Sequence, residues 1–165
     1  MSNTESVFHF SLDQNLEDLC DKYNKLHSTG VQLSSEMFLP SKTQGSGYEV
    51  RCAEANGIIF NPGQYKSINL GFGVFCPEGW ALNLMLHPNL FNKKHLHCLS
   101  ATVDDYVENV KISAQYIPDS SFLIKNNLNI SFGEIIGYLV PVRKEEVKIL
   151  NVSKSELKRM HLFRF

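Results

Sequence analysis

The patterning of this sequence is that of an all-β domain, and three observations predict it. Between residues 68 and 74, Ile68, Leu70, Phe72 and Val74 alternate strictly with Asn69, Gly71 and Gly73, the period of two that gives a strand one apolar face. Asn61-Pro62-Gly63 and Pro77-Glu78-Gly79 bracket that run with turn residues. Further alternating runs, at Trp80-Leu82-Leu84-Leu86, Val110-Ile112, Phe122-Ile124 and Ile135 to Val142, follow at short intervals. Each such strand must bury its apolar face against another sheet, which a sandwich or a barrel achieves.

The remaining elements follow in chain order. Phe8 and Phe10 alternate with His9, as a strand or an anchoring segment would. Residues 11–27 read as a short helix: Ser11 with Gln14 forms a capping box, and Leu16, Leu19, Cys20, Tyr23 and Leu26 recur at spacings of three and four. That stripe is a face to be packed on a core. Val31 and Leu33 alternate about Gln32, Met37-Phe38-Leu39-Pro40 closes a short apolar stretch, and 41–47 is a polar loop containing glycine. Ile58-Ile59-Phe60 leads into the first turn. After residue 142, Val147-Lys148-Ile149-Leu150 gives a last strand-like segment, and Ser153 with Glu156 makes a second capping box for a helix through about Met160. The expected organisation is a helical extension over 1–30, a β domain over 31–150 and a tail over 151–165, made basic by Lys154, Lys158, Arg159 and Arg164.

Composition narrows the function classes. The chain's 165 residues fit one domain of about 100–200 residues, and 43% hydrophobic, 11% aromatic and 20% charged residues exclude disorder, collagen and low complexity. A net charge of −1 and a pI near 6.6 lack the positive field that non-specific nucleic-acid binding needs, so no direct nucleic-acid partner is expected. No apolar run reaches about 18 residues, and Met1-Ser-Asn-Thr-Glu-Ser lacks a basic region before an apolar core. The expectation is a cytoplasmic protein with no membrane partner. Cys20, Cys52, Cys76 and Cys98 form no C-x-x-C pair and are expected to be reduced, partly buried thiols. His95-x-His97-Cys98, with His87 upstream, is the one cluster of metal-ligating residue types. A strand puts the two histidines on one side and the cysteine on the other, so no metal site is expected. Gly71-x-Gly73 lies in a strand and opens no helix, and G-x-S-x-G, Walker and H-E-x-x-H sequences are absent.

From residue 31 onward, the order of turns and short motifs resembles the trimeric deoxyuridine triphosphatase (dUTPase) family. Leu39-Pro40, a polar loop and Gly45-Ser-Gly-Tyr-Glu-Val are similar to that family's first motif, A-G-Y-D-L. Asn61-Pro-Gly, Gly71-Phe-Gly-Val-Phe and Pro77-Glu-Gly-Trp match its central run in order and spacing. Ala101-Thr-Val-Asp-Asp-Tyr-Val-Glu-Asn resembles the third motif, G-x-I-D-x-D-Y-R-G-E, and Ser131-Phe-Gly-Glu-Ile-Ile-Gly-Tyr-Leu-Val the fourth. A deaminase of deoxycytidine triphosphate shares the fold. The resemblance therefore implies a distorted β-barrel or jelly-roll of dUTPase type and a homotrimer, and points to a superfamily before an activity.

Set against those motifs, the scaffold residues are kept and the chemical ones replaced. The second motif's R-S-G places arginine and serine on the phosphates, where this chain has His87 and Pro88; proline carries no hydroxyl and no N–H. Asp104 matches the water-activating aspartate and Tyr106 the tyrosine beneath the deoxyribose, but they stand two apart where the family has three. In an extended segment that change reverses a side chain's face, so keeping both positions requires a local bulge. Ile135 and Tyr138 replace the fourth motif's arginine and glutamine, and the glycine-rich phosphate arm of the fifth motif is gone. Asp104, Tyr106, Glu49, His87 and Tyr138 are thus read as vestigial, with no catalytic or substrate-binding residues and no cofactor expected. The resemblance implies a catalytically silent accessory or regulatory factor that binds protein, placed in the host-cell cytoplasm if the chain is viral or phage-borne. Partner contact is expected on Arg159, Phe163, Arg164 and Phe165, an aromatic and arginine mixture of the kind enriched at hot spots. The alternatives are a divergent Mg-dependent deoxynucleoside triphosphate hydrolase or deaminase using Asp104, Asp105 or Glu49, and a structural subunit of a larger assembly.

Overall fold

In the computed structural model, residues 6–45, 47–98, 101–119 and 126–163 are described. The chain runs β1 (His9–Leu12), α1 (Leu16–Leu26), a 3-10 turn (Ser35–Phe38), β2 (Ser41–Lys42), β3 (Tyr48–Arg51), β4 (Ile58–Phe60), β5 (Tyr65–Asn69) and β6 (Phe72–Phe75). It continues through β7 (Trp80–Leu86), α2 (Pro88–Lys94), β8 (Leu96–Cys98), β9 (Ala101–Asp104) and β10 (Tyr106–Val107). β11 (Lys111–Tyr116), β12 (Leu128–Ile130), β13 (Ile135–Arg143) and α3 (Lys154–Leu162) complete it. The strands form antiparallel sheets in the orders β2-β3-β13-β7-β9, β5-β11-β8, β1-β6-β10 and β12-β4. No sheet closes on itself among the described residues. Instead the four wrap one core, in which Val50, Phe60, Ile68, Phe72, Leu84, Ile112, Ile130 and Leu139 are buried. The all-β expectation holds, with the barrel open between its sheets.

The alternating run at 68–74 is one pattern but two strands. Ile68, Leu70, Phe72 and Val74 are all buried, yet β5 pairs with β11 and β6 with β1 and β10. The chain changes sheets at Gly71, whose φ is +83°. A Cβ there would lie 2.9 Å from Ala53 Cβ and 3.1 Å from Leu16 Cδ1, so both the backbone conformation and the space select glycine. The expected turns form: the Gln64 N–H donates to Asn61 O at 2.9 Å and the Trp80 N–H to Pro77 O at 3.1 Å.

Three local expectations are corrected. Ser11 does not cap a helix; it lies in β1 opposite Gly73, and α1 begins at Leu16 after Asn15, with no side-chain cap. Strand pairing, which needs β6 from far along the chain, outcompetes the local capping box. Leu33 is buried but lies in no strand, because Asn24 of α1 holds it by donating to Leu33 O and accepting from Leu33 N, both at 2.8 Å. Val147, Ile149 and Leu150 are exposed and have no strand partner among the described residues. Phe122 and Ile124 lie outside the described residues.

α1 builds a second, smaller core. Leu16 and Cys20 pack with Leu33, Phe38, Ala53 and Phe132, so the first 30 residues are joined to the β domain through both β1 and this cluster. None of the four cysteines is in a disulfide, and Cys20, Cys52 and Cys76 are buried. The predicted terminal helix forms as α3, Ser153 Oγ accepting from the Glu156 N–H at 3.2 Å. It buries none of its residues.

Candidate functional site

The residues read as vestigial fall into two groups. Glu49, Tyr138 and His87 come together: Tyr138 on β13 stands opposite Glu49 on β3, and its ring lies 5.2 Å from the His87 imidazole at 31°. His87 precedes α2 and caps it, Nδ1 accepting from the Asn89 N–H at 3.1 Å, with Pro88 in the first helical turn. Proline there forfeits no helical hydrogen bond. Nδ1 is thereby committed to the chain's own backbone, and a single imidazole lacks the fork of permanent donors that an arginine offers a triphosphate.

Of the neighbouring cations, Lys94 is likewise engaged. Lys94 Nζ donates to Glu134 Oε1 at 2.8 Å, and Glu134 Oε2 accepts from the Ser131 N–H at 3.1 Å. The hollow bounded by His87, Lys93, Lys94 and Glu134 measures about 200 Å³, below the roughly 300–1,000 Å³ of small-molecule sites.

Asp104 and Tyr106 form the other group, divided by a change of sheet. Asp105, at φ +56°, takes the left-handed conformation between β9 and β10, so Asp104 ends the five-stranded sheet and Tyr106 enters the three-stranded one. Asp and Asn tolerate that conformation better than other side chains. Asp104 Oδ1 accepts from Lys144 Nζ at 2.7 Å and from the Asp105 N–H at 2.7 Å. The Lys144 ammonium, aided by that N–H, holds the Asp104 carboxyl below its ordinary value of 3.8, and the carboxylate in turn raises Lys144. A carboxylate so stabilised is a weaker proton acceptor.

The two groups do not meet within one chain. Asp104 stands opposite Ala81, and Leu86, beside His87, lies five residues further along β7, about 17 Å at a strand's rise. Asp104, Asp105 and Glu49 therefore assemble no Mg²⁺ ligand set here, and no three His, Cys, Asp or Glu residues are grouped as metal ligands among the described residues. His95 ends α2 in the left-handed conformation, and His97 packs edge-on to Phe91 at 5.0 Å.

On the tail, Arg159 pairs with Glu156 at 2.8 Å, Phe163 is 78% exposed, and Leu157, Met160 and Leu162 are exposed beside it. Arg164 and Phe165 lie outside the described residues. One feature escapes sequence reading: a cleft of about 460 Å³ between β1 and the five-stranded sheet, lined by Phe8, Phe10, Tyr48, Trp80 and Pro141. Its only sequence signal is the Phe8-His9-Phe10 alternation.

No family model and no curated protein matches the chain. Solved structures do. A point mutant of the dUTPase from phage phi11 of S. aureus, described for its coordination of a structural Mg(II) ion, is 16% identical with a TM-score of 0.62, covering 90% of this chain and 97% of that one. The Staphylococcus bacteriophage 80alpha dUTPase with dUpNHpp is 16% identical with a TM-score of 0.63, covering 93% and 90%. A further mutant of the 80alpha enzyme, from work linking its enzymatic activity to SaPI-inducing capacity, is 17% identical, also at 0.63. The chain has the dUTPase fold.

Proposed function

We propose that this chain is a catalytically silent protein of the dUTPase fold that acts as an accessory or regulatory protein-binding factor. One observation carries the reading: the side chains at chemical positions are committed to structure. His87 caps α2 and Asp104 is held by Lys144. Removing a single preorganised donor from an active site commonly costs about 10²–10³ in rate, and here several are replaced. The tail offers the opposite case, a helix that buries none of its residues and leaves Leu157, Met160 and Leu162 exposed, so Arg159, Phe163, Arg164 and Phe165 are assigned to partner contact. The 80alpha dUTPases are described as controlling transfer of virulence genes by a G protein-like mechanism, which supports a regulatory use of this fold. We place a homotrimer in the cytoplasm, that of the host cell if the chain is viral or phage-borne; no helix among the described residues is long and apolar enough to cross a membrane.

Calorimetric titration with dUTP and Mg²⁺ is expected to give no binding heat, while removal of residues 158–165 abolishes capture of the partner and leaves the domain folded. Tight nucleotide binding, or unfolding on truncation, overturns it. A second reading, a divergent Mg-dependent hydrolase, is favoured by the dUTPase activity named for the neighbouring structures and by their Mg(II) and dUpNHpp. The same titration decides between them.

A further inference from the structure

The sheet of β1, β6 and β10 turns one face to the core and the other to solvent. His9, Phe75 and Tyr106 stand opposite one another in register across it, so their side chains leave the same face. Phe75 is 49% and Tyr106 62% exposed, while Phe10, Val74 and Val107 pack inward on the core. Carboxylates flank this aromatic pair on both sides. Asp13 and Glu108 line a hollow of about 430 Å³ that includes both rings. Glu78, Asp104 and Asp105 line another on the far side of Phe75. The one lysine or arginine among the described residues of either lining is Lys144, already bound to Asp104.

An aromatic pair alone would accept many partners, and the charge around it selects among them. We infer that this face docks a basic, arginine-bearing segment of a partner protein. A guanidinium lies flat on an aromatic ring while its edge donates to a carboxylate, two contacts that a lysine ammonium makes less well. Tyr106 and Phe75 supply the rings, and Glu108 and Asp13 the acceptors. This surface is separate from α3, whose role in partner capture is independent of it. The competing occupant is a second copy's α3, which carries Lys154, Lys158 and Arg159.

The test is calorimetric titration of the full chain with a capped Gly-Arg-Gly-Arg-Gly peptide, beside its lysine and glutamate analogues, at low and physiological salt. The arginine peptide is expected to bind, the lysine analogue to bind several-fold more weakly and the glutamate analogue not at all. Tyr106→Ser and Phe75→Ser are each expected to weaken binding about tenfold, and Glu108→Gln to flatten the salt dependence. Both rings being exposed, unchanged melting temperatures show that these variants remain folded. Absence of binding up to millimolar peptide, or equal binding by the variants, overturns the proposal. So does a sedimentation mass that drops both on removal of residues 154–165 and in Tyr106→Ser, because the face then belongs to a second copy's tail. Removing the tail alone is expected to leave peptide binding intact, which separates this inference from the reading of α3.

Discussion

Lys144 grips Asp104 at the point where the chain leaves its last strand: Nζ lies 2.7 Å from the carboxylate, and the Lys144 N–H donates to Gly79 O at 2.7 Å. The Asp104 carboxylate thus anchors the root of the tail. Because the folded Asp104 titrates below 3.8, the pair's contribution is complete above the unfolded value and is lost as pH falls through the folded one. Lys144, raised above 10.5, loses its share as pH rises through its folded value. Asp104→Asn is expected to melt slightly below the parent at neutral pH, with the difference vanishing in acid below the carboxylate range. A thermal-denaturation series across pH checks it, and a difference independent of pH contradicts it.

Gly71→Ala is expected to destabilise the fold by about 2 kcal/mol or more, since φ +83° and the contacts with Ala53 and Leu16 oppose a side chain together. Urea unfolding measures this. Unchanged stability would mean that β5 and β6 do not depend on the bend between them.

How far the fold was legible follows from the same place. The period of two exposed every strand face from Ile68 to Val74, and the Pro-Gly turns fixed where strands reverse, because both signals are local. The break at Gly71 was not legible, since alternation continues unbroken through a change of sheet. The start of β1 shows in the Phe8-His9-Phe10 alternation, but its continuation through Ser11 and Leu12 is hidden by the Ser11–Gln14 capping pattern, which strand pairing with a distant β6 overrides. Val147 to Leu150 show the reverse, strand patterning with no strand partner among the described residues. At the site, His87-Pro88 is readable as a departure from the motif the sequence resembles, but the cap His87 provides and the Lys144 grip on Asp104 are tertiary facts. The acidic aromatic face required the register of three strands from separate parts of the chain.

His87→Ala is expected to cost about 1 kcal/mol through loss of the α2 cap, and His87→Asn to restore most of it, asparagine being a good capping residue. Chemical denaturation of the two variants distinguishes a cap from a ligand. If both lose equally, the imidazole acts through its tilted packing against the Tyr138 ring instead.

Removing residues 154–165 is expected to leave the melting temperature within about 1 °C, because α3 contributes no buried residue. A sharp drop would show that the tail docks on the protein's own sheets. Light scattering of the full chain is expected to give three times 18.8 kDa; a mass of one chain rejects the trimer.

Pyrophosphate release from dUTP with Mg²⁺ separates the silent dUTPase-fold protein we propose from an enzyme. The expected result is a rate no greater than that of Asp104→Ala and indistinguishable from buffer. Release at about 1 per second or faster, abolished by Asp104→Ala, would contradict it.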